Sequence, residues 1–137
     1  MALVIPNASE VKLLNNLLNI TPPTNTVLHL YSNNLTPGSN TVIGDVTQVT
    51  AGGYAQITLT SSSWTVATSG GGVTTASYPE QTFNITTSAT IYGYYITNVA
   101  GDLLWIERFT AAPFQLPGSG GQVLITSQIS LNSCSWG

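Results

Sequence analysis

The chain has 137 residues, about one domain's worth, and folding at that length removes roughly two-thirds of the unfolded surface from water. Only two Lys/Arg and five Asp/Glu are present, 5% charged residues against about 25% in an ordinary globular domain. Lys12 and Arg108 are too few to displace counterions from phosphates, which excludes DNA and RNA as expected partners, while 42% apolar residues and a mean hydropathy of +0.22 exclude intrinsic disorder.

The first predicted element is a helix. In P-N-A-S-E-V-K-L-L-N-N-L-L-N, Asn7 is placed as the N-cap, Glu10 three residues on completes a capping box, and Pro6 stands just outside. Val11, Leu14, Leu17 and Leu18 recur at helical spacing, with Leu13 widening the stripe. Thr21-Pro22-Pro23 cannot continue a helix, so its end is expected near Asn19. The apolar stripe, with Val11, Leu14 and Leu18 as interface candidates, either lies on the domain's own core or forms an arm docking on a neighbouring subunit. Residues 1–22 are read as arm and helix, and 23–137 as a β-sandwich domain. The opening apolar stretch Ala2 to Ile5 falls short of a signal h-region and of the roughly 20 residues of a membrane helix; neither export nor a membrane partner is expected.

Beyond Pro23, runs of Thr, Val, Ile, Tyr and Trp punctuated by Gly, Pro and Asn predict strands at 26–32, 46–50, 54–60, 63–67, 81–86, 90–97, 103–109 and 122–131. Eight short strands at this spacing predict a mainly β fold, a single β-sandwich or barrel of jelly-roll type with one N-terminal α-helix. Segments 33–45 and 68–77 are expected as loops. The second, with its Gly triplet flanked by Ser and Thr, is expected to be a flexible tip.

One His, one Cys, three Glu and two Asp must supply any catalytic or metal chemistry. His29 lies in V-L-H-L-Y, sharing a strand face with Val27 and Tyr31 while Leu28 and Leu30 share the other; a structural imidazole is expected. No G-x-S-x-G elbow is present, Asp45 and Asp102 follow glycines as turn residues do, and Cys134 has no intrachain partner. Catalysis, cofactor and metal are therefore not expected. Four N-x-Ser/Thr matches, at Asn7, Asn19, Asn34 and Asn84, are expected by chance in so Asn- and Thr-rich a chain.

Glu107 and Arg108 are adjacent on a predicted strand, point to opposite faces and must each find another partner, within the chain or across an interface. They sit in an aromatic hairpin, I-Y-G-Y-Y-I-T, then N-V-A-G-D, then L-L-W-I-E-R-F. If Ile96 stands opposite Leu103, Tyr94 meets Trp105 and Tyr92 meets Glu107. The hairpin is either core packing, with Gly93 leaving room for a bulky neighbour, or a glycan-stacking platform of Tyr92, Tyr94 and Trp105. A surface of Thr, Ser, Asn, Gln and Gly with a net charge of −3 protects weakly against association, which predicts an assembly component rather than a free monomer.

These stretches resemble a family of small tailed-bacteriophage structural proteins. The resemblance runs through M-A-L-V-I-P-N-A-S-E-V-K-L-L-N, L-H-L-Y-S-N-N-L-T-P at 28–37, G-G-Y-A at 52–55 and Q-T-F at 81–83. It is most specific in I-Y-G-Y-Y-I-T-N-V-A-G-D-L-L-W-I-E-R-F at 91–109. The ending S-C-S-W-G departs from the pattern. What the resemblance implies is a virion component without catalytic residues, similar to the trimeric capsid cement or decoration proteins on the outer surface of the head shell. Its partners would be other copies of itself and the major capsid protein; the alternative is a tail or fibre protein that binds host glycans.

Overall fold

The computed structural model describes residues 3–131. Among them is one α-helix, α1 (Asn7–Leu17), followed by β1 (Thr26–Tyr31), β2 (Ile57–Leu59), β3 (Thr65–Thr68), β4 (Thr74–Ser77), β5 (Gln81–Ile85) and β6 (Ala89–Ile91). The chain continues with β7 (Gly93–Asn98), β8 (Leu103–Arg108), β9 (Phe114–Leu116), β10 (Gly121–Ile125) and β11 (Gln128–Leu131). All pairings are antiparallel, in sheets ordered β2-β1-β7-β8, β10-β5, β11-β4-β3 and β6-β9. The fold is mainly β and sandwich-like, and the described strands close no barrel.

The four-stranded sheet is buried on both faces. Alternation along β1 sends Leu28 and Leu30 to one side, where Tyr94, Ile96 and Trp105 join them in the main core with Phe83, Ile91, Val123 and Ile125 from the other sheets. The opposite side carries His29 and Tyr31, the latter clustered with Tyr95, Leu103 and Ile106 beneath Val4, Leu35, Val46 and Tyr92. Each core hydrophobe removed from water contributes about 1.5 to 3 kcal/mol, so a sheet buried on both faces is the rigid centre of the molecule.

Segment 33–45 covers this second cluster and is tied down rather than loose. Tyr31 Oη and Arg108 Nη1 both donate to the Leu35 carbonyl, Asn33 bonds Asp45 and Thr47, and Val42 N donates to the Asp45 carboxylate. Segment 68–77, expected as a loop throughout, is the β3–β4 hairpin: Thr68 and Thr74–Ser77 are strand, and the Gly triplet lies in the turn between them. Ser69 N donates to the Val73 carbonyl, and Gly72 takes φ +83° within the turn. Thr74–Ser77 forms a strand because it finds partners on both sides, β3 and β11.

Other predicted strands divide where the chain changes sheets. The 90–97 run breaks at Tyr92, whose N–H bonds the Tyr31 carbonyl, leaving β6 paired with β9 and β7 paired with β1 and β8. The 122–131 run breaks between β10 and β11, which belong to different sheets. Segment 46–50 forms no strand, only an isolated bridge of Gln48 to Tyr31. The short β9 had no alternating signal to reveal it.

The helix begins one residue earlier than the capping pattern suggests. Pro6, with φ −63° and ψ 156°, holds the N-cap position, and no side chain caps the helix. Asn7 is instead the first helical residue, and its N–H donates to the Ser39 carbonyl, which satisfies an amide that a helix leaves orphaned. At the other end Asn19 takes φ +56° while the N–H groups of Ile20 and Thr21 return to the Asn15 carbonyl.

Candidate functional site

The helix is held to the body by Ser9, Lys12 and Leu13 and by the chain before it. Val4 exchanges both backbone hydrogen bonds with Ile106, at 2.8 and 3.0 Å, so residues before α1 cover the outer edge of β8. Ser9 is buried, Leu13 and Ile5 pack on the main core, and Lys12 reaches Asp102 at 3.7 Å. That ion pair is largely exposed and contributes little.

The predicted apolar stripe does not face the core. Val11, Leu14, Leu17 and Leu18 are all exposed, with Leu17 at 76%, and Ile20 just beyond the helix is 69% exposed. The helix packs on its own body through Ser9 and Leu13 and turns its aliphatic ridge outward. The ridge reads Val11, Leu14, Leu18 at i, i+3, i+7, the spacing of a helix that anchors in a groove.

Beside the ridge is a groove of about 390 Å³ lined by Ile5, Leu13, Leu14 and Leu17 on one wall and Val66, Thr74, Ala76, Ile129 and Leu131 on the other. The sheet wall follows from register. Val66 and Ile129 both pair with Ala76, and Leu131 pairs with Thr74, which puts these residues on one face of β3-β4-β11. No charged side chain lines the groove, and Val66 and Leu131 are exposed. The sequence reading missed this wall. The alternation Q-I-S-L at 128–131 was its signal, hidden by fusing the run with β10.

The aromatic hairpin is packing, which corrects the glycan-platform alternative. Tyr94 and Trp105 are each only 5% exposed, and a stacking platform must present its ring faces to solvent. Trp105 stands edge-on to Trp64 at 6.2 Å, and its buried indole N–H finds no acceptor among the described residues. The register differs from the expected one as well: Ile96 pairs with Trp105 and Tyr94 with Glu107, with an irregularity between Ile96 and Thr97. That bulge is the physical reason, because an extra residue shifts everything beyond it. Gly93 does face a bulky neighbour, pairing with Tyr31.

Glu107 and Arg108 find their partners within the chain. Tyr94 Oη donates to Glu107 Oε1 at 2.7 Å, and burial together with that carboxylate pushes the phenol pKa up. Arg108 donates to the Leu35 carbonyl at 3.0 Å and lies over the Tyr92 ring at 5.1 Å. Both side chains are half-buried.

His29 has the surroundings of a structural residue. Gln48 Nε2 donates to Nδ1 at 3.1 Å, leaving the ring proton on Nε2, which donates to Thr97 Oγ1 at 2.9 Å. The ring stacks on Tyr95 with centroids 4.5 Å apart, and burial lowers its pKa from 6.5 to about 4. Asp45 and Asp102 serve their own turns, accepting from Val42 N and Asn98 Nδ2. Among the described residues no three His, Cys, Asp or Glu gather as a metal would require, and no helix is long and apolar enough to cross a membrane. Cys134 and Trp136 lie outside the described residues.

Neither the protein-family models nor the curated proteins contain a match to this chain.

Proposed function

We propose that the chain is a non-enzymatic structural protein of a tailed-bacteriophage particle, a trimeric cement protein on the outer surface of the capsid that bridges neighbouring major capsid proteins. The observation that carries this reading is the exposed aliphatic ridge of α1, set beside a charge-free groove on a body whose central sheet is buried on both faces. A soluble monomer rarely exposes an apolar patch beyond about 300 to 600 Å², and a surface with so few charges makes contacts that salt and pH disturb little. The resemblance at residues 91–109 supports the same reading. A cement protein stabilises a shell by burying surface on several subunits at once, and linked contacts gain from high effective concentration without any one being strong.

The test is location. Particle maps with and without the protein should differ by density over the junctions of the head shell. Density confined to the tail would overturn the cement role.

A further inference from the structure

We propose that the open edge of β3 receives an extended segment of another protein, which adds a fourth strand to the β11-β4-β3 sheet. This rests on the structural reading above, under which the donor is the major capsid protein. The hydrogen-bond ladder decides which backbone groups are free. Ser69 N donates to the Val73 carbonyl, so 69 and 73 form a bonded pair. By alternation 67 with 75 and 65 with 77 are bonded, while 66 with 76 and 68 with 74 are not. The far side of β4 agrees: Tyr78 N donates to the Ser127 carbonyl, which makes 76 with 129 and 74 with 131 the bonded pairs of β4 and β11. The N–H and C=O groups of Val66 and Thr68 therefore point away from β4, and among the described residues no strand lies beyond β3 to receive them.

Sheet edges are normally blunted by Lys, Pro, a bulge or a covering segment, and this chain covers its edges elsewhere. Val4 closes the edge of β8, and beyond β2 the β1 edge is closed where Leu30 N donates to Tyr54 Oη, Val49 N to the Leu30 carbonyl and Ser32 N to the Thr47 carbonyl. On β3 none of these devices is present. T-V-A-T carries no charge and no proline, pairs with β4 without a register shift, and is exposed at all four residues. Two N–H and two C=O groups repeating every second residue match the backbone of another strand, whereas a helix or an apolar small molecule would leave them unpaired. The groove adds a side-chain preference. Val66 lines it opposite Leu14 and Leu17, so alternate residues of the added strand stand beside Val66 on that face. The segment that fits is extended and apolar at every second position. A second copy offering its own β3 would need a two-fold axis, which the trimer proposed above lacks; the edge is thereby left to a different protein.

The experiment follows amide hydrogen exchange in the full chain, free and bound to particles stripped of this protein. In the free protein Val66 and Thr68 should exchange faster than Thr65 and Ala67, whose backbones are bonded to β4. On stripped particles the Val66 and Thr68 amides should slow at least about tenfold. Val66→Pro removes one outward N–H and no bond to β4, a place where an edge strand tolerates proline; it should bind the particles at least about tenfold more weakly. Val66→Thr keeps the N–H and should bind within about threefold of wild type. Should Val66→Pro lose the wild-type circular dichroism, Thr68→Pro makes the same measurement at the other outward N–H. Fast exchange at both amides in particle-bound protein, or a proline variant that binds as tightly as wild type, would overturn the edge contact and leave the capsid reading standing. A wild type that does not bind stripped particles would overturn both. Val66 and Thr68 amides already protected in the free protein would assign the edge to a second copy and overturn the proposal.

Discussion

His29 shows how a single side chain links burial to pH. Its pKa falls from 6.5 to about 4 because burial disfavours the imidazolium. Between those values the unfolded chain binds a proton that the folded chain does not, so stability is full above about pH 6.5 and declines as the pH drops toward 4. His29→Gln should flatten that part of the curve. At pH 7 it should cost about 1 to 3 kcal/mol for the lost Thr97 bond and Tyr95 stacking. Melting of both proteins from pH 4 to 7 checks it; parallel curves would refute the assignment. Gly93 makes a steric prediction. A Cβ there would run into the Glu107 carbonyl and the Tyr31 ring, so Gly93→Ala should cost about 3 kcal/mol or more. Urea denaturation measures it, and a cost under about 1 kcal/mol would mean that the β1–β7–β8 register is not the one described.

At the scale of elements, the N-terminal segment has two separable roles. Val4 closes the edge of β8, and Leu13 and Ile5 complete the main core, whereas Val11 and Leu18 touch little of the body. Removing residues 1–20 should therefore lower the melting temperature by about 10 °C or more, while Val11→Ser with Leu18→Ser should change it by no more than about 2 °C. The reverse ranking, read by calorimetry, would place the ridge in the core. The helix was legible because its spacing is local, and so were the two faces of β1, where Leu28 and Leu30 alternate with His29 and Tyr31. What escaped the sequence was non-local. Tyr92 ends one strand and starts another only because the Tyr31 carbonyl waits for its N–H. Thr74–Ser77 is a strand only because β3 and β11 flank it, and nothing in T-T-A-S announces that. The direction in which α1 turns its stripe was equally hidden, since an exposed and a buried ridge share one periodicity.

At the scale of the whole molecule, scarcity of charge and exposure of aliphatic side chains point the same way. An assembly held by apolar and uncharged polar contacts should keep its mass in 1 M salt, where charge attractions are screened beyond about 3 Å. Light scattering at low and high salt should give the same oligomer; dissociation in salt would mean that the seven charges, not the ridge, hold it together. Whatever binds the assembled shell in preference to its free subunits stabilises it by mass action, and a genome-filled shell fails first at the contacts between neighbouring subunits. The most direct measurement is the temperature at which particles release their genome, compared for complete particles, particles stripped of this protein, and stripped particles given the purified protein back. Release at lower temperature after stripping, restored by addition, is the predicted result. Equal heat resistance in all three would contradict it.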